Sequence, residues 1–302
     1  MKVLVTGGTG LLGRTLKDRM SKWIYVGSKD CDLKSQWDVN GFFSKINPDK
    51  VIHLAARVGG IQKNIAEPYP FIFDNLQINA NVINWCYENN KPILFASSSC
   101  VYPNYSETYP LKEDQVDEGP PEITNCFYSY SKRIGNHLLR AAAKQIGLQY
   151  YTLYFSNLYG EHDFTDKNDL KHHLITALFE KMTNAKKNNV PSVELLGDGT
   201  PLRQFMYAGD AAEIIVECIY EELEGEYNVA PNENLSVFEI AKAVKETVGY
   251  EGTMFFNGEM NGIFRKDICS EKLLKVINHK FISLNEGLKI TYKKLLELEC
   301  GN

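Results

Sequence analysis

Short apolar runs alternate with longer helix-like segments through the first half of the chain. Strands and helices that alternate in this way form βαβ units, and successive right-handed crossovers build a doubly wound parallel sheet. The ligand crevice of such a sheet lies beyond the carboxyl ends of its strands. The predicted strands are 3–6, 23–26, 51–54, 93–96 and 150–154, and the predicted helices follow Gly10, begin at Trp37, and span 70–88 and 128–146.

The pattern changes after Gly160. A polar loop is expected over 161–171, a helix over about 173–187, and mixed short elements from there to the end. The sequence therefore predicts an α/β fold in which a smaller mixed α/β lobe closes over the crevice of the sheet. We expect the sheet domain to take residues 1–160, with a later segment near 203–230 returning to it, and the lobe to take residues 161–302.

Composition and charge narrow the range of partners. The 302 residues are 44% hydrophobic and 24% charged, as in a folded soluble protein. The 38 acidic and 33 basic residues are scattered and give a net charge of -5, so nucleic acid is not an expected partner. No apolar run approaches the roughly 20 residues of a membrane span, and the N-terminus lacks the features of a secretory signal. The expected location is the cytoplasm, away from membranes.

Seven cysteines are dispersed along the chain without Cys-x-x-Cys spacing. This distribution favours reduced thiols in a cytoplasm. It predicts neither a disulfide framework nor a metal site.

A glycine-rich segment joins the first predicted strand to the first predicted helix. Small residues at this junction let the backbone approach a pyrophosphate, and the N–H groups at the helix N-terminus favour the anion. The segment therefore makes 1–160 a predicted dinucleotide-binding domain and 161–302 the substrate-binding lobe. Its predicted cofactor contacts are Gly7, Thr9, Gly10, Leu11, Leu12 and Gly13.

The end of the second predicted strand bears on the choice of cofactor. No acidic residue stands at its tip, where an enzyme that uses NAD holds the ribose 2'-hydroxyl. Ser28 and Lys29 are suited instead to a 2'-phosphate, although a lysine beside a turn is also a common surface residue. We therefore expect NADP(H), with Asp32 and Leu33 near its adenine.

Tyr128 and Lys132 are four residues apart in a predicted helix, so the phenol and the ammonium project from one face. A nearby cation favours the phenolate, and the pair is therefore expected to exchange a proton with a carbonyl or an alcohol near neutral pH. The lysine is also suited to holding the nicotinamide ribose. Such a pair is common by chance, but downstream of a glycine loop it predicts a catalytic pair.

Ser98 and Cys100 follow the fourth predicted strand and are expected to face the crevice. Ser98 is suited to a hydrogen bond with the reacting oxygen, and Cys100 is placed to reach the substrate. The alternative is structural, because serines cap strand ends and most free cysteines are small buried hydrophobes.

These residues carry a resemblance that extends over nearly the whole chain. The sequence resembles the GDP-L-fucose synthase family, whose members are GDP-4-keto-6-deoxy-mannose 3,5-epimerase/4-reductases of the extended short-chain dehydrogenase/reductase superfamily with a Rossmann fold. The Val-Gly-Gly and Ser-x-Cys-x-x-Pro runs are far more specific than the superfamily motifs. The matching segments are Ala55-Ala56-Arg57-Val58-Gly59-Gly60-Ile61, Ser98-Ser99-Cys100-Val101-Tyr102-Pro103, Asn157-Leu158-Tyr159-Gly160 and Gly197-Asp198-Gly199-Thr200-Pro201-Leu202-Arg203-Gln204-Phe205.

The resemblance implies roles for individual residues. Cys100 and His173 would be the acid/base pair that inverts C3 and C5 of the sugar, while Ser98 and Tyr128 would hold the C4 oxygen. Hydride would reach C4 from the nicotinamide, and Tyr128 would protonate O4. Lys181, Arg203 and Lys266 would bind the diphosphate of the GDP-sugar. A homodimer is also implied. The further cofactor contacts would be Ala55, Ala56, Ser97, Lys132, Asn157, Leu158 and His173.

The sequence departs from the family at two places in the substrate lobe. Where the family has Gly-Pro-x-Asp-Asn-Phe, residues 160–164 of this chain lack the proline and one asparagine. Leu196 stands where the family often has a tryptophan. A reductase that acts only at C4 of a related GDP-4-keto-6-deoxy sugar, such as a heptose, is therefore an open alternative. A dehydratase would need a Thr-Asp-Glu run at 98–100, which is absent. A 4-epimerase and a non-catalytic NADP-binding regulator are the remaining alternatives, although the regulator is disfavoured because Tyr128 and Lys132 are both present.

Overall fold

The computed structural model describes residues 1–164, 174–259 and 263–300. The strands are β1 (Val3–Thr6), β2 (Ile24–Val26), β3 (Lys50–His53), β4 (Ile93–Ser98), β5 (Tyr150–Phe155), β6 (Asn157–Tyr159), β7 (Ser192–Leu195), β8 (Leu202–Arg203), β9 (Phe205–Tyr207), β10 (Gly225–Val229), β11 (Leu235–Ser236) and β12 (Thr253–Phe256). The α-helices are α1 (Leu11–Arg19), α2 (Gln36–Ile46), α3 (Ile61–Ala66), α4 (Pro68–Glu88), α5 (Cys126–Ile146), α6 (Leu174–Lys187), α7 (Ala208–Tyr220), α8 (Val237–Val248), α9 (Glu271–Leu274) and α10 (Leu284–Cys300).

Six strands form a parallel sheet in the order β10-β5-β4-β3-β1-β2. Alternate residues of each strand face opposite sides, because successive side chains in a strand point in opposite directions. On β1, Val3 and Val5 join a core with α1 and α7, whereas Leu4 joins a second core with α2, α4 and α5. Helices therefore cover both faces, and the predicted doubly wound fold is confirmed.

A separate apolar core lies in the second half of the chain. It is built mainly from α6, α8, α10 and the short strands β7 and β9, with Phe179, Ile240 and Leu288 fully buried. Three two-stranded pairings, β11-β8, β12-β7 and β6-β9, supply its mixed α/β character. Although β10 lies in the second half of the sequence, it belongs to the central sheet, where it pairs with β5 at the edge.

The predicted strands all exist, with bounds that shift by one or two residues. The largest change is at β4, which continues to Ser98 because Ser97 and Ser98 pair with Tyr154 and Phe155 of β5. The loop expected from 161 begins instead with a 3-10 helix, Glu161–Phe164. Its Phe164 is buried against Phe179, which gives this segment an apolar anchor that its polar composition does not indicate. In the described part of the chain, we find no helix with the length and apolarity that a membrane crossing requires.

Candidate active site

A cleft opens where β1, β3, β4 and β5 end, which is the expected position for a ligand in a doubly wound sheet. The start of α1 forms one wall, and the start of α5 forms another. Arg203 and Lys266 reach the same cleft from the second half of the chain. The site therefore combines groups from the central sheet and from the second half of the chain.

The glycine loop is packed so tightly that side chains are excluded. Gly7 has a φ of 73°, and a Cβ on Gly13 would lie 2.2 Å from the Gly7 oxygen. Gly10 caps α1 without a side-chain hydrogen bond, so the first N–H groups of the helix keep their capacity for an anion. Leu11 and Leu12 line the cleft beside them. This loop fits the pyrophosphate of a dinucleotide.

Thr9 supports the loop from outside the cleft. It lies against the end of β2, where a Cβ on Gly27 would come within 2.7 Å of its methyl group. Ser28 and Lys29 follow Gly27 and are exposed, and Asp30 accepts a hydrogen bond from the Gly27 N–H at 2.8 Å. The two side chains predicted to meet a 2'-phosphate are therefore open to solvent at this corner of the sheet.

The remaining predicted adenine contacts differ in exposure. Asp32 is exposed and accepts a hydrogen bond from the Lys34 N–H at 3.0 Å. Leu33 is buried, and its carbonyl accepts a hydrogen bond from the Asn81 amide at 2.9 Å. Leu33 thus anchors the segment, whereas Asp32 has a free approach from solvent.

Lys132 is almost completely buried, one turn after Tyr128 on α5. Its ammonium donates to the Ala96 oxygen at 2.8 Å and lies 4.7 Å from the centre of the Phe95 ring. Burial lowers the pKa of Lys132 to about 7. A lysine with this pKa changes charge readily in the physiological range.

Tyr128 lines the cleft, and its pKa differs from the sequence expectation. Burial, together with the nearby Cys100, raises the pKa of its phenol far above the usual range, so the phenolate predicted from the Lys132 charge is wrong for this structure. The reason is that the Lys132 ammonium is directed at Ala96 and is itself partly neutralised by burial. Tyr128 therefore keeps its proton at neutral pH.

Ser98 and Cys100 both line the cleft, as predicted from their position after β4. Ser98 ends the strand, and its oxygen accepts a hydrogen bond from the Cys100 N–H at 3.2 Å. The Cys100 thiol is half-buried and receives a contact of 3.4 Å from the Asn125 amide nitrogen. A hydroxyl, a thiol and a phenol thus share one cleft with a buried lysine.

The predicted substrate cations divide between the cleft and the surface. Arg203 and Lys266 line the cleft. Burial lowers the pKa of Arg203, and the charges of Cys100 and Glu122 act against that shift. Lys181 is exposed on α6 and donates to the Glu194 backbone oxygen, and it is not among the residues that line the cleft.

Other predicted contacts also have definite positions. Ala56, Ser97, Asn157 and Leu158 line the cleft. Ala55 lies behind the glycine loop, where its N–H donates to the Thr6 hydroxyl at 3.3 Å. His173, predicted as an acid/base and cofactor residue, lies outside the described residues.

Several polar residues of the cleft were missed by the sequence reasoning. The Glu122 carboxylate is buried and accepts a hydrogen bond from the Thr124 N–H at 3.0 Å. The Gln204 amide bonds the backbone of Pro231 and Ile268, and so holds the segment that carries Lys266. The sequence offered one indication of these residues, namely their closeness in the chain to predicted site residues. Glu122 and Asn125 shortly precede Tyr128, and Gln204 directly follows Arg203.

One group of side chains with metal-ligating atoms lies outside this cleft, within the described residues. It consists of Asp210, Glu213 and His279. Glu213 is paired with Arg19 at 2.8 Å, and Asp210 accepts a hydrogen bond from the Ile282 N–H at 3.0 Å. Because both acids already have donors, we assign no cation to the group.

Comparison with known proteins identifies the class to which this fold and cleft belong. The family model described as the NAD dependent epimerase/dehydratase family matches residues 3–230. The chain therefore belongs to the NAD dependent epimerase/dehydratase family.

Within that family, the most informative relatives are GDP-L-fucose synthases. The chain is 34% identical to "GDP-L-fucose synthase" of Dictyostelium discoideum, over 95% of this chain and 92% of the relative. It is 32% identical to "GDP-L-fucose synthase" of Escherichia coli strain K12, over 98% of this chain and 97% of the relative. The predicted relationship to this group is confirmed.

Solved structures agree with these relatives along nearly the full length. A GDP-L-fucose synthetase from Naegleria fowleri bound to NADP has a TM-score of 0.89 and 30% identity, covering 98% of this chain and 93% of that structure. MlghC, a GDP-mannoheptose C4 reductase from Campylobacter jejuni with NADP bound, has a TM-score of 0.87 and 26% identity, covering 98% of each chain.

Proposed function

We propose that this chain is an NADP-dependent oxidoreductase that inverts C3 and C5 of a GDP-4-keto-6-deoxy-mannose-type sugar and then reduces its C4 ketone, giving GDP-L-fucose or a close relative. The observation that carries the proposal is the meeting of Ser98, Cys100, Tyr128 and Lys132 in one cleft beside a glycine loop. The names of the relatives supply the substrate class.

The cofactor is NADPH, bound along the glycine loop, and when bound it supplies the hydride for C4. Ser28 and Lys29 are exposed at the tip of β2, where a 2'-phosphate would be placed. Lys132 lines the cleft and positions the nicotinamide ribose.

We propose two domains. The dinucleotide-binding domain takes residues 1–160 with the returning segment near 203–230, and the substrate-binding lobe takes residues 161–302.

For the reduction, the chain must deliver a proton to O4 as C4 accepts hydride. Tyr128 keeps its proton because burial raises the pKa of its phenol, so it donates that proton to the forming alkoxide. Ser98 supplies a second hydrogen bond to the same oxygen. Lys132, whose pKa is about 7, is placed to return a proton to the Tyr128 region after turnover.

For the epimerisation, the C4 ketone acidifies the C3 and C5 protons. A base must remove each proton and an acid must return one on the opposite face of the ring, while O4 is held by Ser98 and Tyr128. Cys100 is one of these groups, since its thiol lines the cleft. His173 is proposed as the other from the family resemblance.

Arg203 and Lys266 bind the diphosphate of the GDP moiety. Both line the cleft and come from the second half of the chain. A guanidinium is suited to this role because it binds phosphate oxygens bidentately. Lys181 is retained as a proposed contact on the resemblance alone.

The second candidate function is C4 reduction alone, on a related sugar such as a heptose. Two features favour it: His162, at the altered loop, is paired with Asp18 of α1 at 2.6 Å, and Leu196 is largely exposed where the family has a tryptophan. The likeness to a GDP-mannoheptose C4 reductase is a third.

We further propose a cytoplasmic homodimer. The long helices α4 and α5 pack together and leave large apolar side chains exposed, including Phe73, Phe127, Ile134 and Leu138. Such a shared apolar face is suited to a second copy of the chain. The six cysteines of the described side chains are free thiols, as suits a reducing compartment.

Saturable oxidation of NADPH by GDP-4-keto-6-deoxy-mannose, with one equivalent of reduced GDP-sugar formed, tests the proposal. A 4-epimerase ends each cycle with its cofactor in the starting redox state, so it would leave the C4 ketone unreduced and show no net consumption of NADPH. A regulator would bind NADPH and turn over nothing. Either result contradicts the proposed function.

A further inference from the structure

The side chain of Asn125 connects a buried serine to the cleft thiol. Its amide nitrogen lies 3.4 Å from the Cys100 sulfur. The Ser129 hydroxyl, one turn along α5, lies 3.0 Å from the Asn125 backbone oxygen and 3.2 Å from its side-chain oxygen. Ser129 is fully buried, so this contact is sheltered from water.

The Asn125 amide meets the sulfur through its nitrogen. The single hydrogen of the Ser129 hydroxyl donates to Asn125, where the backbone oxygen at 3.0 Å is nearer than the side-chain oxygen at 3.2 Å. The contact of the amide with the sulfur limits the rotation of the Cys100 side chain and holds its sulfur at one place in the cleft.

Charged groups around the thiol come from several elements. Arg203 of β8 interacts favourably with the charges of both Cys100 and Glu122, and the Glu122 carboxylate accepts a hydrogen bond from the Thr124 N–H. Tyr128 of α5 is protonated and neutral. Lys132 and Lys266 add positive charge elsewhere in the cleft. Asn125 is the described side chain that makes a direct hydrogen-bonding contact with the sulfur.

We propose that Asn125, bonded to Ser129, is a positioning residue that holds the Cys100 sulfur in the cleft, so that the thiol can act as the base at the sugar ring. The proposal rests on the proposed function for its role in epimerisation. The effect on the thiol itself is independent of any substrate.

Alkylation of Cys100 by iodoacetamide between pH 6 and 9.5, followed residue by residue with mass spectrometry, measures the reactive thiolate directly. Asn125→Asp has the same shape but places a negative oxygen beside the sulfur. We expect alkylation of Cys100 at pH 7.5 to slow by about tenfold. Asn125→Ala and Ser129→Ala should each slow it by about threefold.

Two comparisons separate this effect from general disturbance. Cys269 of the same sample is the reference thiol and should be alkylated as in the native protein. Asn188→Asp, at an exposed position just after α6, is the matched control, and its Cys100 should be alkylated at the native rate. If Cys100 keeps its native rate of alkylation in Asn125→Asp and Asn125→Ala while Cys269 is unchanged, the proposal is overturned.

The catalytic consequence has its own readout. In Asn125→Asp, exchange of the C3 and C5 protons with solvent should slow by about the same factor as alkylation, whereas reduction of an already epimerised ketone should slow by a clearly smaller factor. Equal loss of both reactions would overturn the positioning role. Absence of exchange in the native enzyme would instead contradict the proposed epimerisation. The alkylation result would still show whether Asn125 holds the Cys100 thiol.

Discussion

The Lys132 ammonium donates a hydrogen bond of 2.8 Å to the backbone oxygen of Ala96. Ala96 lies on β4 two residues before Ser98, and Lys132 lies on α5 one turn after Tyr128. This single bond therefore ties the strand that carries the serine to the helix that carries the tyrosine. It also explains why the lysine does not ionise the phenol, since its charge is directed at a carbonyl.

Replacing Tyr128 by phenylalanine should abolish most of the reduction and leave cofactor binding intact. The change removes the proton donor to O4 but keeps the ring in the cleft wall. Loss of a general acid of this kind typically costs about 100- to 10000-fold in rate. Steady-state oxidation of NADPH measures the first effect and fluorescence titration with NADPH the second. Turnover near the native rate would show that another group protonates O4.

The buried Lys132 should make the folded protein more stable as pH rises above neutrality. Its pKa is lowered from 10.5 to about 7 on folding, so between these values the unfolded chain binds more protons than the folded one. The free energy of unfolding should therefore increase by about 1 kcal/mol per pH unit from pH 7 to 9 relative to Lys132→Met, which has no titrating group. Urea unfolding of both proteins at pH 7, 8 and 9 provides the comparison, and parallel pH profiles would contradict the depressed pKa.

Lys29 should discriminate between the phosphorylated and unphosphorylated cofactors. Lys29→Ala removes the exposed cation at the tip of β2 and should weaken NADPH binding by about 1 to 3 kcal/mol while leaving NADH binding unchanged. Lys45→Ala, on the exposed last turn of α2, is the matched control. Calorimetric titration with both cofactors gives the values. Equal affinity of the native protein for NADH and NADPH would refute the assignment.

Arg203 should contribute to binding of the GDP-sugar and not of the cofactor. Arg203→Met keeps the apolar stem but removes the guanidinium from the cleft, and should raise KM for the sugar by about tenfold or more. The Kd for NADPH should not change. Lys289→Met, exposed on α10, is the control. A rise in the Kd for NADPH with an unchanged KM for the sugar would contradict this assignment, because it would place Arg203 at the cofactor instead of the GDP-sugar.

Local patterns were sufficient to predict the elements that form the sheet and the glycine loop. Strand 3–6 and the loop that follows it are specified by short-range features, namely buried apolar runs and glycines that exclude any Cβ. The positions of Ser98, Cys100 and Tyr128 also followed, because the carboxyl ends of parallel strands meet at one edge.

Other features of the site depend on packing between distant segments. The contact of Asn125 with Cys100 joins residues 25 positions apart, and no periodicity indicates it. The raised pKa of Tyr128 follows from burial, which a spacing of four residues does not reveal. Lys181 illustrates the same difficulty, since the direction of a helix face is determined by the core beneath it.

The central claim is that one cleft both epimerises and reduces the sugar. Incubation of the native enzyme with NADPH and GDP-4-keto-6-deoxy-mannose in heavy water, followed by mass and NMR analysis of the product in light water, tests it most directly. We expect a reduced GDP-sugar with carbon-bound deuterium at both C3 and C5, and a Cys100→Ser variant that incorporates it much more slowly. A reduced product without deuterium at C3 and C5 would contradict the claim and leave a reductase that acts only at C4.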